Sequence, residues 1–330
     1  MYIELHARSA FSFLEGASSP EELARACAGF GMPSMALLDR DGLYGAPQFY
    51  LAANKVGLRA HIGAEVTCAQ GWCYPLLVAS HEGYKNLCRL ITRMKLRAAK
   101  GEGAIEASEL ETSSSGLICL TGGDEGPLAH ALRCGGKEAA RKVIEQLCEL
   151  FGRDNIYVEL QRHFSVEEER RNQVAIELAR SLRLPLLATN GVSQATPAER
   201  EILDVFTCLR HHRVLATAGR LLSHNSERYL KSPLQMAALF ADLPEAVANT
   251  SELAARLQFT LKDLGYKFPI YPTPNKESQM EYLRQRTQEG MIHRYGLQNE
   301  RAQLQIQREL AVIEKLDLPG YFLIVWDIIR

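Results

Sequence analysis

Tyr2-Ile-Glu-Leu-His-Ala-Arg-Ser-Ala-Phe-Ser-Phe-Leu-Glu-Gly16 opens with a short apolar run, Tyr2–Leu5, that breaks into polar residues at His6 and Arg8. A run of that length ending in polar residues is a strand candidate. Further candidates follow at Met35–Leu38, His61–Val66, Tyr74–Val78, Leu117–Leu120, Ile156–Leu160 and Pro185–Ala188, making seven. Helical patterns separate them. Ser19 can cap a helix with Pro20 at its first position, Glu21 and Glu22 in its first turn and Gly31 past its end. Others cover about Ala46–Lys55 (stopped by Gly57), Tyr84–Arg97, Lys137–Phe151 and Val166–Leu182. Strand alternating with helix predicts parallel pairing. Seven strands in this rhythm predict an α/β fold closed as a barrel rather than an open doubly wound sheet.

The rhythm changes after about residue 196. Helices are predicted near Pro197–Leu209 and Pro233–Phe240, with another starting at Pro244. Phe268-Pro-Ile-Tyr-Pro-Thr-Pro274 holds three prolines and reads as an extended linker and domain boundary. Beyond it, Met280–Tyr295 and Arg301–Lys315 are charged amphipathic helices. The apolar stretch Tyr321-Phe-Leu-Ile-Val-Trp-Asp-Ile-Ile-Arg330 calls for a partner surface and reads as the edge of a larger unit. The expected organisation is a first domain at 1–264, with a barrel over about 1–195 and a helical extension over about 196–264, and a second segment at 265–330.

With 330 residues, 46% hydrophobic and 23% charged, the chain can bury a sizeable core. A formal net charge of −1 gives no bulk signal for nucleic acid. The eight cysteines form no CxxC pair and sit mostly in apolar runs, as reduced core cysteines do. With no signal peptide and no apolar run of spanning length, the expectation is a cytoplasmic protein with no membrane association.

In α/β barrels the site forms at the C-terminal ends of the strands. Those ends offer His6, Asp39, Glu65, the Ser80-His81-Glu82 loop, Thr121, His163 and Asn190. Imidazoles and carboxylates converging on one rim suit a metal centre for phosphate-ester hydrolysis. For any one of them, the plainer reading is a helix cap or turn residue. Arg89, Arg93, Lys95, Arg97 and Lys100 make a basic helix face and exit, either solvated or touching DNA phosphates. His211 and His212, as sequence neighbours, share no helix face and make a poor chelating pair.

Several of these stretches resemble the polymerase-and-histidinol-phosphatase (PHP) domain in the form found in bacterial DNA polymerase III alpha subunits. They are Leu5–Ser18, Met35-Ala-Leu-Leu-Asp-Arg-Asp-Gly-Leu-Tyr-Gly45, Gly63-Ala-Glu65, Gly83–Thr92, Gly116–Gly123, Leu187-Ala-Thr-Asn-Gly191, Tyr229–Pro233 followed by Leu239–Thr250, and Glu309–Lys315 continuing to Gly320–Asp327. The resemblance covers essentially the whole chain. Leu87-Cys-Arg-Leu-Ile-Thr-Arg93 and Asp204-Val-Phe-Thr-Cys-Leu-Arg-His211 look most like its error-prone, translesion branch.

The resemblance implies a PHP-type seven-stranded distorted (β/α) barrel, then a mainly helical segment leading into a polymerase palm, whose start would be 265–330. It also implies the outline of a metal site. Members with an active centre carry His-x-His at the first strand, where this chain has His6 and Arg8. The acidic residue of the following loop is Glu15. A Thr-Asp-His element is Leu38-Asp39-Arg40, and the Gly-x-Glu carboxylate is kept as Glu65. A histidine leading the next strand corresponds to Tyr74, and the cysteine of Ser-Gly-Cys to Gly123. His163 is kept, while Asn-Asp-x-His has become Asn190-Gly191-Val192-Ser193.

On this reading the metal pattern is degenerate. His6, Glu15, Glu65 and His163 are the ligands left for any residual Zn or Mn, and Arg8 and Arg40 stand in as fixed cations. No catalytic residue is expected in this stretch, because the palm aspartates that would hold Mg in the full polymerase lie further on. The expected role is a scaffold in an error-prone DNA-directed DNA polymerase. Its partners would be the polymerase core, DNA, the sliding clamp and translesion accessory proteins. The alternatives are a metal-dependent 3′-5′ exonuclease or phosphoesterase with a reduced site, and a free-standing binding module.

Overall fold

The computed structural model describes residues 1–330 except Lys100, Asp263, Gly265, Tyr266, Lys267, Asn275, Lys276 and Leu297. Two compact units emerge, Met1–Lys262 and Asp263–Arg330. The first carries strands β1 (Ser34–Arg40), β2 (Arg59–Thr67), β3 (Cys73–Val78), β4 (Leu117–Leu120), β5 (Ile156–Leu160) and β6 (Leu186–Ala188). Its helices are α1 (Pro20–Gly29), α2 (Ala46–Lys55), α3 (His81–Arg97), α4 (Ala107–Glu111), α5 (Pro127–Phe151), α6 (Val166–Leu182), α7 (Arg200–Arg210), α8 (Leu215–Ala218), α9 (Pro233–Leu239) and α10 (Pro244–Arg256). The second unit holds α11 (Gln279–Tyr295), α12 (Glu300–Lys315) and α13 (Pro319–Ile329), packed around Tyr282, Leu283, Leu310 and Leu323.

Local signals set these boundaries. Ser19 caps α1, accepting from the Glu22 N–H while the Glu22 carboxylate accepts from the Ser19 N–H. Gly57 follows α2 at φ 72°, in the left-handed region that glycine enters without steric cost. α5 starts ten residues before the predicted Lys137, and Gly136 (φ 67°, ψ −160°) breaks it there.

The sheet runs β1-β2-β3-β4-β5-β6. β1·β2, β4·β5 and β5·β6 are parallel, as the strand–helix rhythm predicts. β2·β3 and β3·β4 are antiparallel, which corrects the all-parallel expectation. Only residues 68–72 separate β2 from β3, too few for the crossover a parallel pair needs. The seven-strand expectation is also corrected: among the described residues the sheet has six strands. The predicted first strand is a segment bonded at single points. Its Glu4 and Ala7 carbonyls accept from the Ala36 and Leu38 N–H groups of β1 at 2.9 and 2.7 Å. On the other side His6 and Arg8 exchange backbone hydrogen bonds with Val192, just past β6, at 2.9 and 2.8 Å. One segment therefore ties both ends of the order together, and the sheet curls.

One face of the curled sheet is apolar in its lower half. Ala36, Leu38, Leu77, Ile118, Leu120, Tyr157 and Leu187 meet Leu253, Ala254 and Leu257 from the end of α10. The opposite face meets the surrounding helices in a larger core that includes Leu23, Phe49, Leu87, Leu90, Ile144 and Leu178. Gly63 is required where it stands, because a Cβ there would run into the Leu76 carbonyl and the Leu38 side chain.

Candidate functional site

Side-chain alternation carries the apolar face upward into a charged cluster. Leu38 leads to Arg40 on β1, Gly63 to Glu65 on β2, and Tyr157 to Glu159 and then Gln161 on and past β5. β3 runs the other way, so its first residue, Cys73, arrives at this end. The Ser80-His81-Glu82 loop falls at the far end, where Ser80 accepts from the Gly83 N–H and caps α3.

His6 lies between two carboxylates. Its Nδ1 is 2.6 Å from Glu159 Oε1 and its Nε2 is 2.5 Å from Glu65 Oε1. Burial alone would lower its pKa, but Glu159 and Glu65 outweigh this and raise it to about 10. It is therefore an imidazolium donating on both sides. Arg8 spans Glu65, with Nε 3.0 Å from Oε1 and Nη2 2.8 Å from Oε2, and its Nη2 also donates to Glu125 Oε2. Arg40 meets the same two acids, with Nε 3.1 Å from Glu65 Oε2 and Nη2 2.5 Å from Glu125 Oε2, while its Nη1 contacts Cys73 Sγ. Glu15 lies 3.6 Å from Arg8 and 3.4 Å from Arg40 and pairs with Arg210 of α7 at 2.7 Å.

Four cations (His6, Arg8, Arg40, Arg210) thus face four carboxylates (Glu15, Glu65, Glu125, Glu159). Burial alone would raise the Glu65 pKa, but Arg8, Arg40 and His6 hold it well below the usual carboxylate range. The Arg8 and Arg40 guanidiniums bring Glu125 down to about 2 against burial. Glu159 accepts from the Gln161 carboxamide at 2.8 Å and from the Thr189 hydroxyl.

The cluster floors an open cavity of about 270 Å³ lined also by Gly123, Gly191, Ser193 and Arg228. His6, Arg8, Glu15, Glu65, Gly123, Gly191 and Ser193, all expected from the sequence, reach it, and Arg40 joins through its ion pairs. A methyl group added at Gly123 or Gly191 would collide with the buried Gln161 carboxamide.

Other expected residues go elsewhere. His163 does not line this cavity; its Nδ1 faces Glu168 at 2.8 Å and its Nε2 donates to the Asn190 carbonyl at 2.9 Å. The expected ligand quartet is therefore not assembled. Asp39 is 2% exposed and accepts from the Ser9 N–H at 2.7 Å and the Ser12 hydroxyl at 2.8 Å, fixing the loop after the first segment. The Asn190 carboxamide donates to the Glu227 and Tyr229 carbonyls. Tyr74 packs in the helix-side core, because alternation along β3 sends Cys73 and Pro75 to the cavity and Tyr74 away from it.

Glu125, Glu159, Gln161, Cys73 and Arg210 went unread in the sequence. Only Glu159 left a signal, as an acid inside an apolar strand run. On α3, Arg89 sits 3.7 Å from Glu82 and Arg97 2.6 Å from Glu109; Arg93 is exposed and Lys95 half-buried. Lys100 lies outside the described residues.

Residues 4–163 match the PHP domain, and residues 281–330 match the bacterial DNA polymerase III alpha NTPase domain. The chain belongs to the bacterial DNA polymerase III alpha-subunit family. An error-prone DNA polymerase of Mycolicibacterium paratuberculosis is 35% identical over 100% of this chain and 31% of its own length. The DNA polymerase III alpha subunit of Pseudomonas aeruginosa is 33% identical over 100% of this chain and 30% of its own. The chain thus spans about a third of the length of these relatives. An amidohydrolase from Chromobacterium violaceum aligns with a TM-score of 0.43 and 14% identity over 59% of this chain and 88% of that one. Among the described residues no helix is long and apolar enough to cross a membrane.

Proposed function

We propose that this chain is the PHP-containing part of an error-prone DNA-directed DNA polymerase, and that its PHP unit is a scaffold held by ion pairs rather than a metal-dependent hydrolase. The observation that carries this is the pair of guanidiniums, Arg8 and Arg40, converging on Glu65 and Glu125 while His6 donates to Glu65 and Glu159. A metal ligand needs a free lone pair. Here both His6 nitrogens face carboxylates, and two permanently charged groups occupy the surroundings of Glu65. These residues do not fit a divalent cation, so no chemical step is assigned to one. Nucleotidyl transfer, with Mg, would belong to a polymerase core outside this chain. DNA, that core, a sliding clamp and translesion accessory proteins are the partners this reading brings with it.

The test is elemental analysis of the purified chain together with assays on a phosphodiester and on a 3′-ended oligonucleotide. Less than one Zn or Mn per chain and no turnover are expected. Two or three tightly bound ions, or cleavage abolished by His6→Ala, would instead establish the metal-dependent exonuclease.

A further inference from the structure

A second, larger cavity of about 920 Å³ lies beside the first, between α5, the N-terminal part of α6 and residues 223–228. Phe164 stands at its edge, 77% exposed, with φ at 58°. A bulky residue in the left-handed region is a real outlier, and such strain persists where the surroundings or a function impose it. The result is an aromatic face held out in solvent beside apolar Leu132 and Val166.

The polar wall is arginine-rich, and its charges are unevenly spent. Asp124 is taken by Arg171 and by Arg228 at 2.8 Å; Glu168 is taken by His163 at 2.8 Å. Among the described residues, Arg133 donates only to the Asp124 carbonyl and Arg170 has no ion-pair partner. Among the described residues Glu167 is the lining carboxylate without an ion pair, so two available guanidiniums face one acid. An exposed ring for a base beside guanidiniums for a phosphate is the combination that binds an unpaired nucleotide.

We propose that this cavity binds an unpaired nucleotide, free or as a unit of a single strand, with its base on Phe164 and its phosphate at Arg170 and Arg133. The volume suits a ligand of that size. The inference stands on this cavity and not on the polymerase reading, since the ion-paired cluster contributes nothing to it.

The experiment titrates the whole chain, at low salt, with labelled oligo-dT, with the same sequence as a duplex, and with dATP. Single strand should bind more tightly than duplex, and the dATP arm tells a free-nucleotide site from a strand site. Phe164→Gly should weaken binding about tenfold or more by removing the stacking face. It should also leave the melting temperature unchanged or higher, because glycine relieves the left-handed strain. Arg170→Glu should weaken binding and flatten its salt dependence. The proposal is overturned if neither ligand binds, if duplex binds as well as single strand, or if both variants bind like wild type. It is equally overturned if Arg89→Glu on α3 removes the binding while Phe164→Gly does not.

Discussion

Arg8→Ala tests the ion-paired cluster most directly. The change removes a two-point contact to Glu65, at 3.0 and 2.8 Å, and a contact to Glu125. Glu65 is 2% exposed, so water cannot replace what is lost. Breaking a buried pair typically costs about 3–5 kcal/mol. His6 at 2.5 Å and Arg40 at 3.1 Å still face Glu65, which places this case at the lower end, about 3 kcal/mol. A domain of this size loses about 2–4 °C of melting temperature per kcal/mol, so the variant should melt about 6–12 °C lower.

Arg8→Ala with Arg40→Ala should cost more than the two singles together, because Glu65 then keeps only His6. pH supplies an internal check. The folded-state pKa of Glu125, about 2, lies below its ordinary 4.5, so its contribution is present above 4.5 and is lost as pH falls toward 2. Arg8 is the main cause of that depression. The gap between wild type and Arg8→Ala should therefore narrow over the same acid window. Calorimetric or circular-dichroism melts at pH 7.5, pH 4 and pH 2.5 measure both effects. Single variants that both melt within about 2 °C of wild type would refute the reasoning.

Three further outcomes follow from individual sites. His61 on β2 is 1% exposed, neither ring nitrogen is hydrogen-bonded among the described residues, and burial together with Arg59 holds its pKa down to about 4. Its contribution is thus intact above 6.5 and falls away as pH drops through 4, by about 3 kcal/mol. His61→Leu should abolish that acid loss, and parallel stability–pH curves for variant and wild type between pH 8 and 4 would exclude this role. Gly123→Ala should cost about 1–3 kcal/mol through overpacking against Gln161, most of it recovered with Gln161→Ser; a double-mutant cycle by chemical denaturation reads the coupling. Ser19→Ala should cost about 1 kcal/mol by removing the α1 cap, measured by urea denaturation, and an unchanged midpoint would show the cap to be redundant.

Six of the seven strand runs, the capped start of α1, the span of α2 and the span of α6 could be read from residues near one another in the chain. Those features depend on local apolar runs, cap residues and glycines, which act over a few positions. Strand direction departs from the strand–helix rhythm at β3, where the five-residue gap before it already calls for an antiparallel pair, and the reversal puts the Ser80-His81-Glu82 loop at the far end from the cluster. His6 and Glu65 are legible from strand ends, whereas Arg8, Glu15 and Arg40 enter the same site only through the family resemblance.

What the sequence determined alone is the family, the order of elements and five members of the charged cluster, His6, Arg8, Glu15, Arg40 and Glu65. The tertiary structure decided which charges meet. Glu125 reaches Arg8 across 117 positions and Arg210 reaches Glu15 across 195. No local pattern encodes such pairs. They exist because a reversed strand and a curled sheet bring Cys73, Glu125 and Glu159 to the same end, where buried charges must find partners within hydrogen-bonding distance.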